Sequence, residues 1–192
     1  MPQLNRWPGR ASLPSPPRRE PLSQALTYGA VMTREQCVLL EHLQAERSHV
    51  LASVAGLGEE DMTRVVASSG WSIAQLLNHL VYDVEIFWGS AIVGGDDEAI
   101  ANIQDGWKAP VISGAESVEK YESWTSRVHS VLATADLDTS PNWWPSKEVF
   151  PFPPFADARQ CVFRLLVETA THAGHLDMAR EAIDGHQHLV VT

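Results

Sequence analysis

At 192 residues and 21.2 kDa, with 44% hydrophobic and 20% charged residues, the chain is long and apolar enough for one domain with a substantial core. A formal net charge of −10 and a pI near 5.2 argue against nucleic acid or an anionic membrane surface as partner. No apolar run approaches the roughly 20 residues that span a bilayer, and the N-terminus lacks the apolar core of a secretory signal, so a cytoplasmic location is expected.

Residues 1–30 contain Pro2, Pro8, Pro14, Pro16, Pro17 and Pro21 among Arg and Ser. Proline at that density cannot build a helix or a sheet, so a disordered or draped Pro/Arg-rich segment is expected there, ahead of one folded domain over residues 31–192. Four segments of that domain then open alike. Thr33 is followed by Gln36, Ser72 by Gln75 and Ser113 by Glu116, which fit the capping box; Asp157 followed by Gln160 is a close variant. Behind each opening comes apolar periodicity of the helical kind, predicting helices over residues 34–55, 73–93, 115–135 and 158–184. Their stripes include Leu39, Leu43, Val50, Leu51 and Val54 in the first and Leu76, Leu77, Leu80, Val81 and Val84 in the second. Val118, Tyr121, Val128 and Leu132 mark the third, and Val162, Leu165, Leu176 and Ile183 the fourth, which Gly185 is suited to terminate. No stretch alternates with a period of two residues. The fold class is all-α, a four-helix bundle.

Cys37 and Cys161 both fall in predicted helices and read as buried thiols of a reducing compartment, not as a disulfide. The connections differ in kind. Residues 56–71 form a short link with a Gly-Trp entry to the second helix, and Gly94-Gly95-Asp96-Asp97 breaks the chain after it, leaving room for a turn or short helix before Ser113. The link over residues 140–155 holds five prolines and five aromatics, Trp143, Trp144, Phe150, Phe152 and Phe155. Two readings are open for it: a pocket wall or lid, or an aromatic plug at one end of the bundle.

On the fourth helix Glu168 and His172 are four residues apart and His175 follows three later, so all three project from one face. On the second, His79 lies beside the apolar stripe between Leu76 and Leu80. Two facing helices can therefore direct His79 and the Glu168/His172 pair into one cavity. Two imidazoles and a carboxylate with an open position form the ligand set of a catalytic zinc site, and they also suit nickel, iron(II) or manganese. Asp83, one turn beyond His79, is placed to orient that imidazole. His42, His49 and His129 read as hydrogen-bonded core or boundary residues, and His186 and His188 as a solvated tail.

The runs Gly70-Trp71-Ser72-Ile73-Ala74-Gln75-Leu76-Leu77-Asn78-His79-Leu80 and Glu168-Thr169-Ala170-Thr171-His172-Ala173-Gly174-His175-Leu176-Asp177 resemble the DinB-like superfamily. Together with the turn Gly56-Leu57-Gly58-Glu59-Glu60, they are most similar to its actinobacterial branch of mycothiol-dependent transferases and maleylpyruvate isomerase. The resemblance implies a four-helix bundle, commonly a homodimer, binding one divalent metal, zinc first with nickel or iron as alternatives. The usual pattern of the superfamily has a histidine where this chain has Glu168, and a carboxylate there is similar to the isomerase. The implied metal ligands are accordingly His79, Glu168 and His172. His175 is left as a catalytic acid/base, a supporting residue or a competing ligand.

That likeness implies a divalent-metal-dependent S-transferase, which adds mycothiol or a related low-molecular-weight thiol to a small electrophilic substrate. Coordination to a metal deprotonates a thiol near neutral pH, and His175 is the residue placed to move a proton. Arg164 and the aromatics of the Pro-rich link are candidates to hold the thiol's sugar. Two alternatives accompany this expectation: another metal-dependent hydrolase or biosynthetic enzyme on the same fold, or a non-catalytic metal-binding stress-type dimer.

Overall fold

The computed structural model describes residues 32–66 and 68–188, and among them all regular structure is helical apart from an isolated bridge between Val65 and Ser72. The expectation of disorder over residues 1–30 lies outside the described residues. In chain order the elements are α1 (Arg34–Val54), α2 (Glu59–Thr63), α3 (Ile73–His79), a π-helical segment (Leu80–Val93) continuing α3, α4 (Asp97–Ala101), α5 (Gly114–Leu132) and α6 (Ala158–Asp184).

The helix starts follow from local chemistry. Thr33 and Ser72 form complete capping boxes, each side chain accepting from the backbone of its third helical residue while Gln36 or Gln75 reaches back. At Ser113 and Asp157 only the forward bond is made, to the amides of Glu116 and Gln160. The Glu116 side chain turns instead toward Lys120, at 3.5 Å. α6 spans the predicted residues and stops at Gly185, whose φ of 76° is the left-handed conformation glycine adopts without a Cβ penalty.

Three features depart from the periodicity. α5 ends at Leu132 rather than residue 135, although Ala133 and Ala135 still donate to the carbonyls of His129 and Val131 in a fraying turn. The link after α1 contains α2, and its Glu59 accepts from the Gly114 amide at 2.8 Å, supplementing the start of α5. The second predicted helix is continuous over its expected length but relaxes to π-helical turns after His79. Buried residues cover nearly every face of that segment, as expected for a central rod.

The long helices pack side by side. α6 lies between α1 and the π segment on one side and α5 lies between them on the other, so α1 and the π segment face each other across the diagonal. That diagonal holds a buried ion pair: Arg47 of α1 donates to both carboxylate oxygens of Glu85, at 2.8 and 2.5 Å. Beside it Tyr121 of α5 is fully buried; burial first, then the charge of Glu85, pushes its phenol well above the usual 10, with Arg47 pulling the other way.

The Pro-rich link closes one end of the bundle. Trp88 of the π segment stacks on Phe155 at 5.5 Å and meets Trp144 and Phe150 edge-on. The Trp143 amide and the Asn142 side chain satisfy the Ile92 and Val93 carbonyls at the end of the π segment. The aromatics of the link thus pack as a plug, while Ser140 and Asn142 of the same link also line a second cavity of about 430 Å³.

Arg47→Ala leaves a sealed carboxylate without its partner, and the expected loss of stability is about 3–5 kcal/mol in denaturant unfolding. The double variant Arg47→Met with Glu85→Leu is expected to recover most of it, which identifies the loss as that of an orphaned charge.

Candidate metal centre

His79 is the last residue of α3, and the first turn of the π segment brings Asp83 back beneath its ring. Nδ1 of His79 lies 2.7 Å from Oδ2 of Asp83. A carboxylate only accepts, so Nδ1 carries a proton, and in the neutral ring Nε2 is the lone pair left for a ligand contact. Asp83 also accepts from the Gly106 amide, at 3.0 Å. The loop comes so close here that a Cβ on residue 106 would stand 2.6 Å from the His79 Cα and 2.8 Å from Asp83 Oδ2, which only glycine avoids. Trp107, the next residue, stacks on the His79 ring at 4.4 Å between centroids and 17° between planes. The Asn78 side chain donates to the Ala109 and Pro110 carbonyls, tying down the rest of the loop.

From α6 come the other two donors. Nε2 of His172 lies 3.0 Å from Nε2 of His79 and 3.4 Å from Oε2 of Glu168. The other Glu168 oxygen pairs with Arg164, one turn back. His175 approaches His172 from the far side, Nδ1 to Nδ1 at 3.2 Å, and is itself solvent-exposed. One donor atom from each of His79, Glu168 and His172 can be chosen so that all lie within 4.8 Å of one another. The separations suit a divalent cation: donors each about 2.0–2.1 Å from one ion at tetrahedral or octahedral angles stand about 2.9–3.4 Å apart. For His172 to ligate through Nε2 its proton must sit on Nδ1, where Nδ1 of His175 is in place to accept it.

Burial, followed by the neighbouring His79 and His175, lowers the His172 pKa from 6.5 to about 4. Its imidazole is therefore neutral at physiological pH, the form a metal requires. Beside the trio opens a cavity of about 470 Å³ lined by Trp71, Trp107, His172 and His175, with Ser69, Gly70 and Gln75 completing it.

The structure thus brings together His79, Glu168 and His172, sets Asp83 behind His79, and leaves His175 at the cavity rather than in the trio. Arg164 is engaged with Glu168, and none of the Pro-rich-link aromatics lines this cavity. His49 is a boundary residue as expected, bridged to Asp177 at 2.8 Å, and Ser53 donates to the same carboxylate. His42 is exposed, and His188 is not simply solvated, because it stacks on His49 at 4.2 Å. Cys161 is buried, its thiol pushed up to about 12 by burial and then by Asp157, while Cys37 is half-buried; both are free. Sequence reasoning did not find Gly106 and Trp107. Asp105-Gly106 is a visible turn signal, but only the tertiary fold sets it against His79.

A family model described as Mycothiol-S-transferase matches residues 38–185, more than half of the chain and a span containing the trio, Asp83, His175 and the whole cavity lining. No curated protein sequence matches the chain. Among the described residues, no helix is long and apolar enough to cross a membrane.

In metal-free protein the unfolded chain takes up a proton at His172 between pH about 6.5 and about 4 that the folded chain refuses, so folding stability falls as the pH drops through that window. Denaturant unfolding at a series of pH values is expected to show a steeper acid loss in the wild type than in His172→Asn. Gly106→Ala must push the loop off His79 and Asp83; the expected cost is about 1–3 kcal/mol of stability, with weakened metal retention measured by competition with a chelator.

Proposed function

The chain belongs to the mycothiol-S-transferase family, and from that premise we propose that it transfers a low-molecular-weight thiol, mycothiol or a close relative, to a small electrophilic substrate with a divalent cation held by His79, Glu168 and His172. The observation that carries this reading is the convergence of those three donors beside a cavity that His175 also lines. When bound there, the cation (zinc by ligand chemistry, nickel or iron otherwise) would supply a Lewis acid that keeps a thiol ionised near neutral pH.

The chain's own residues do the rest. Asp83 fixes the His79 tautomer, and Arg164 holds one Glu168 oxygen while the other faces His172. The walls of the cavity position the electrophile. In the transfer a sulfur–carbon bond forms, and the electron pair displaced from carbon goes to a leaving group or to the far end of a conjugated bond. The thiol proton passes to His175, which is exposed and adjacent to the trio, and from it to the displaced pair. A homodimer belongs to the same reading, and the exposed Phe163, Val167 and Met178, on one face of α6, support it.

The test is elemental analysis of purified protein combined with thiol conjugation of model electrophiles. His172→Ala is expected to lose both metal and conjugation, and Asp83→Ala to lower metal affinity about 10–100-fold. Metal and conjugation that survive His172→Ala would sink the proposal. Turnover that needs no thiol would replace it with a hydrolase.

A further inference from the structure

The metal trio says how a thiol is activated; the neighbouring cavity bears on what it is transferred to. We propose that the electrophile is a neutral, flat, conjugated molecule laid against the indoles of Trp71 and Trp107, an assignment that rests on the thiol-transfer reading above. Its first support is the charge of the lining. Among the described residues that form the cavity there is no Lys, Arg, Asp or Glu. The polar groups are the hydroxyl of Ser69, the amide of Gln75 and the imidazoles of His172 and His175. A carboxylate, phosphate or ammonium on the substrate would lose water there without gaining a side-chain counter-charge, and the charge of a divalent cation at the trio would be balanced by the Glu168 carboxylate and the ionised thiol. The net charge of −10 adds long-range repulsion of anions.

The second support is shape. The large apolar groups of the lining are the two indoles, which offer flat faces and no branched aliphatic surface. Trp107 is held in orientation by its stack on His79 and by the Asp83–Gly106 link, yet it remains 37% exposed, so its ring has surface left for a ligand to cover. Trp71 stands 6.4 Å from the His175 ring, and Trp107 stands 6.1 Å from that of His172. A planar molecule resting on the indoles is thereby beside the proton-carrying imidazole. Ring-on-ring contact rewards a conjugated ligand over an aliphatic one of equal area. The cavity, about 470 Å³, has the size of an ordinary small-molecule site. In such a substrate the sulfur adds to a conjugated carbon and the π electrons move to the acceptor end, which takes the proton from His175; in an activated aryl halide the halide leaves with the electron pair.

The experiment uses metal-loaded full-length protein with saturating thiol and three electrophiles: an activated neutral aryl halide, the same ring bearing a carboxylate, and iodoacetamide as a small neutral aliphatic. In the wild type the neutral aryl halide is expected to have a KM at least about tenfold below that of its carboxylate. Trp107→Leu and Trp71→Leu are expected to raise the KM for the aryl halide about tenfold, with that for iodoacetamide within about twofold, and the phenylalanine replacements to restore it. Equal KM values for the neutral and carboxylate rings, or a rise confined to the KM of the thiol, would overturn the assignment; the latter would give the indoles to the thiol's sugar. Calorimetric titration of wild-type protein with an unreactive neutral aromatic and its carboxylate needs neither turnover nor a stable variant. Preferential binding of the neutral ring without conjugation by any thiol would uphold the cavity assignment and refute the transferase reading. Conjugation without discrimination among the electrophiles would do the reverse.

Discussion

Arg47 and Glu85 are both charged and both sealed from water, and neither would be tolerated there without the other. Their two-pronged contact crosses the diagonal of the bundle, from α1 to the π segment, where the backbones of the two rods are not neighbours. A guanidinium and a carboxylate meet in this way in only a narrow range of axial and rotational settings, so the pair locks the register of one rod against the other. The placement of His79 against α6 depends on that register. His79 and Asp83 belong to the same continuous rod as Glu85, and α6, which brings the other donors, is wedged between that rod and α1.

The centre itself is built by two kinds of constraint. Within α6, the i, i+4 spacing of Glu168 and His172 places both on one face with no help from the rest of the chain. The third donor comes from another rod and is restrained around its ring: Asp83 at Nδ1, Trp107 on a face and His172 at Nε2. Such support restrains the orientation of the ring, as the partners of a candidate ligand would. His49 provides the contrast within the same molecule. It too contacts carboxylates, Asp177 at Nε2 and Glu46 3.8 Å from Nδ1, with His188 stacked on its ring, but among the described residues it belongs to no trio of mutually close donors.

The same loop serves the centre and the cavity. Residues 105–110 lie against the end of α3 because Gly106 permits the approach and the Asn78 side chain holds the carbonyls beyond it. That places Trp107 against the metal-type trio on one side and against open space on the other. Glu168, which adjoins His172 of the lining, is turned toward His172 and Arg164 and does not itself line the cavity.

By itself the sequence determined what depends on neighbours in the chain. The capping residues Thr33, Ser72, Ser113 and Asp157 set four helix starts, and apolar spacing set the all-α class. Gly185 set the end of α6, and helical spacing placed Glu168, His172 and His175 on one side of it. These are legible because capping bonds and same-face spacing act within a few residues. His79 was legible as a partner only because its position beside an apolar stripe directs it inward. The tertiary structure alone decided the rest. Periodicity near 3.6 does not reveal that the rod widens into π-helical turns after His79, nor that Arg47 is buried, because its partner Glu85 is 38 residues away. Nor does a Gly-Trp dipeptide in a loop announce that its indole covers the His79 ring. Those outcomes depend on which surfaces meet once the rods pack, and a linear pattern carries no record of a contact between distant segments until the fold has made it.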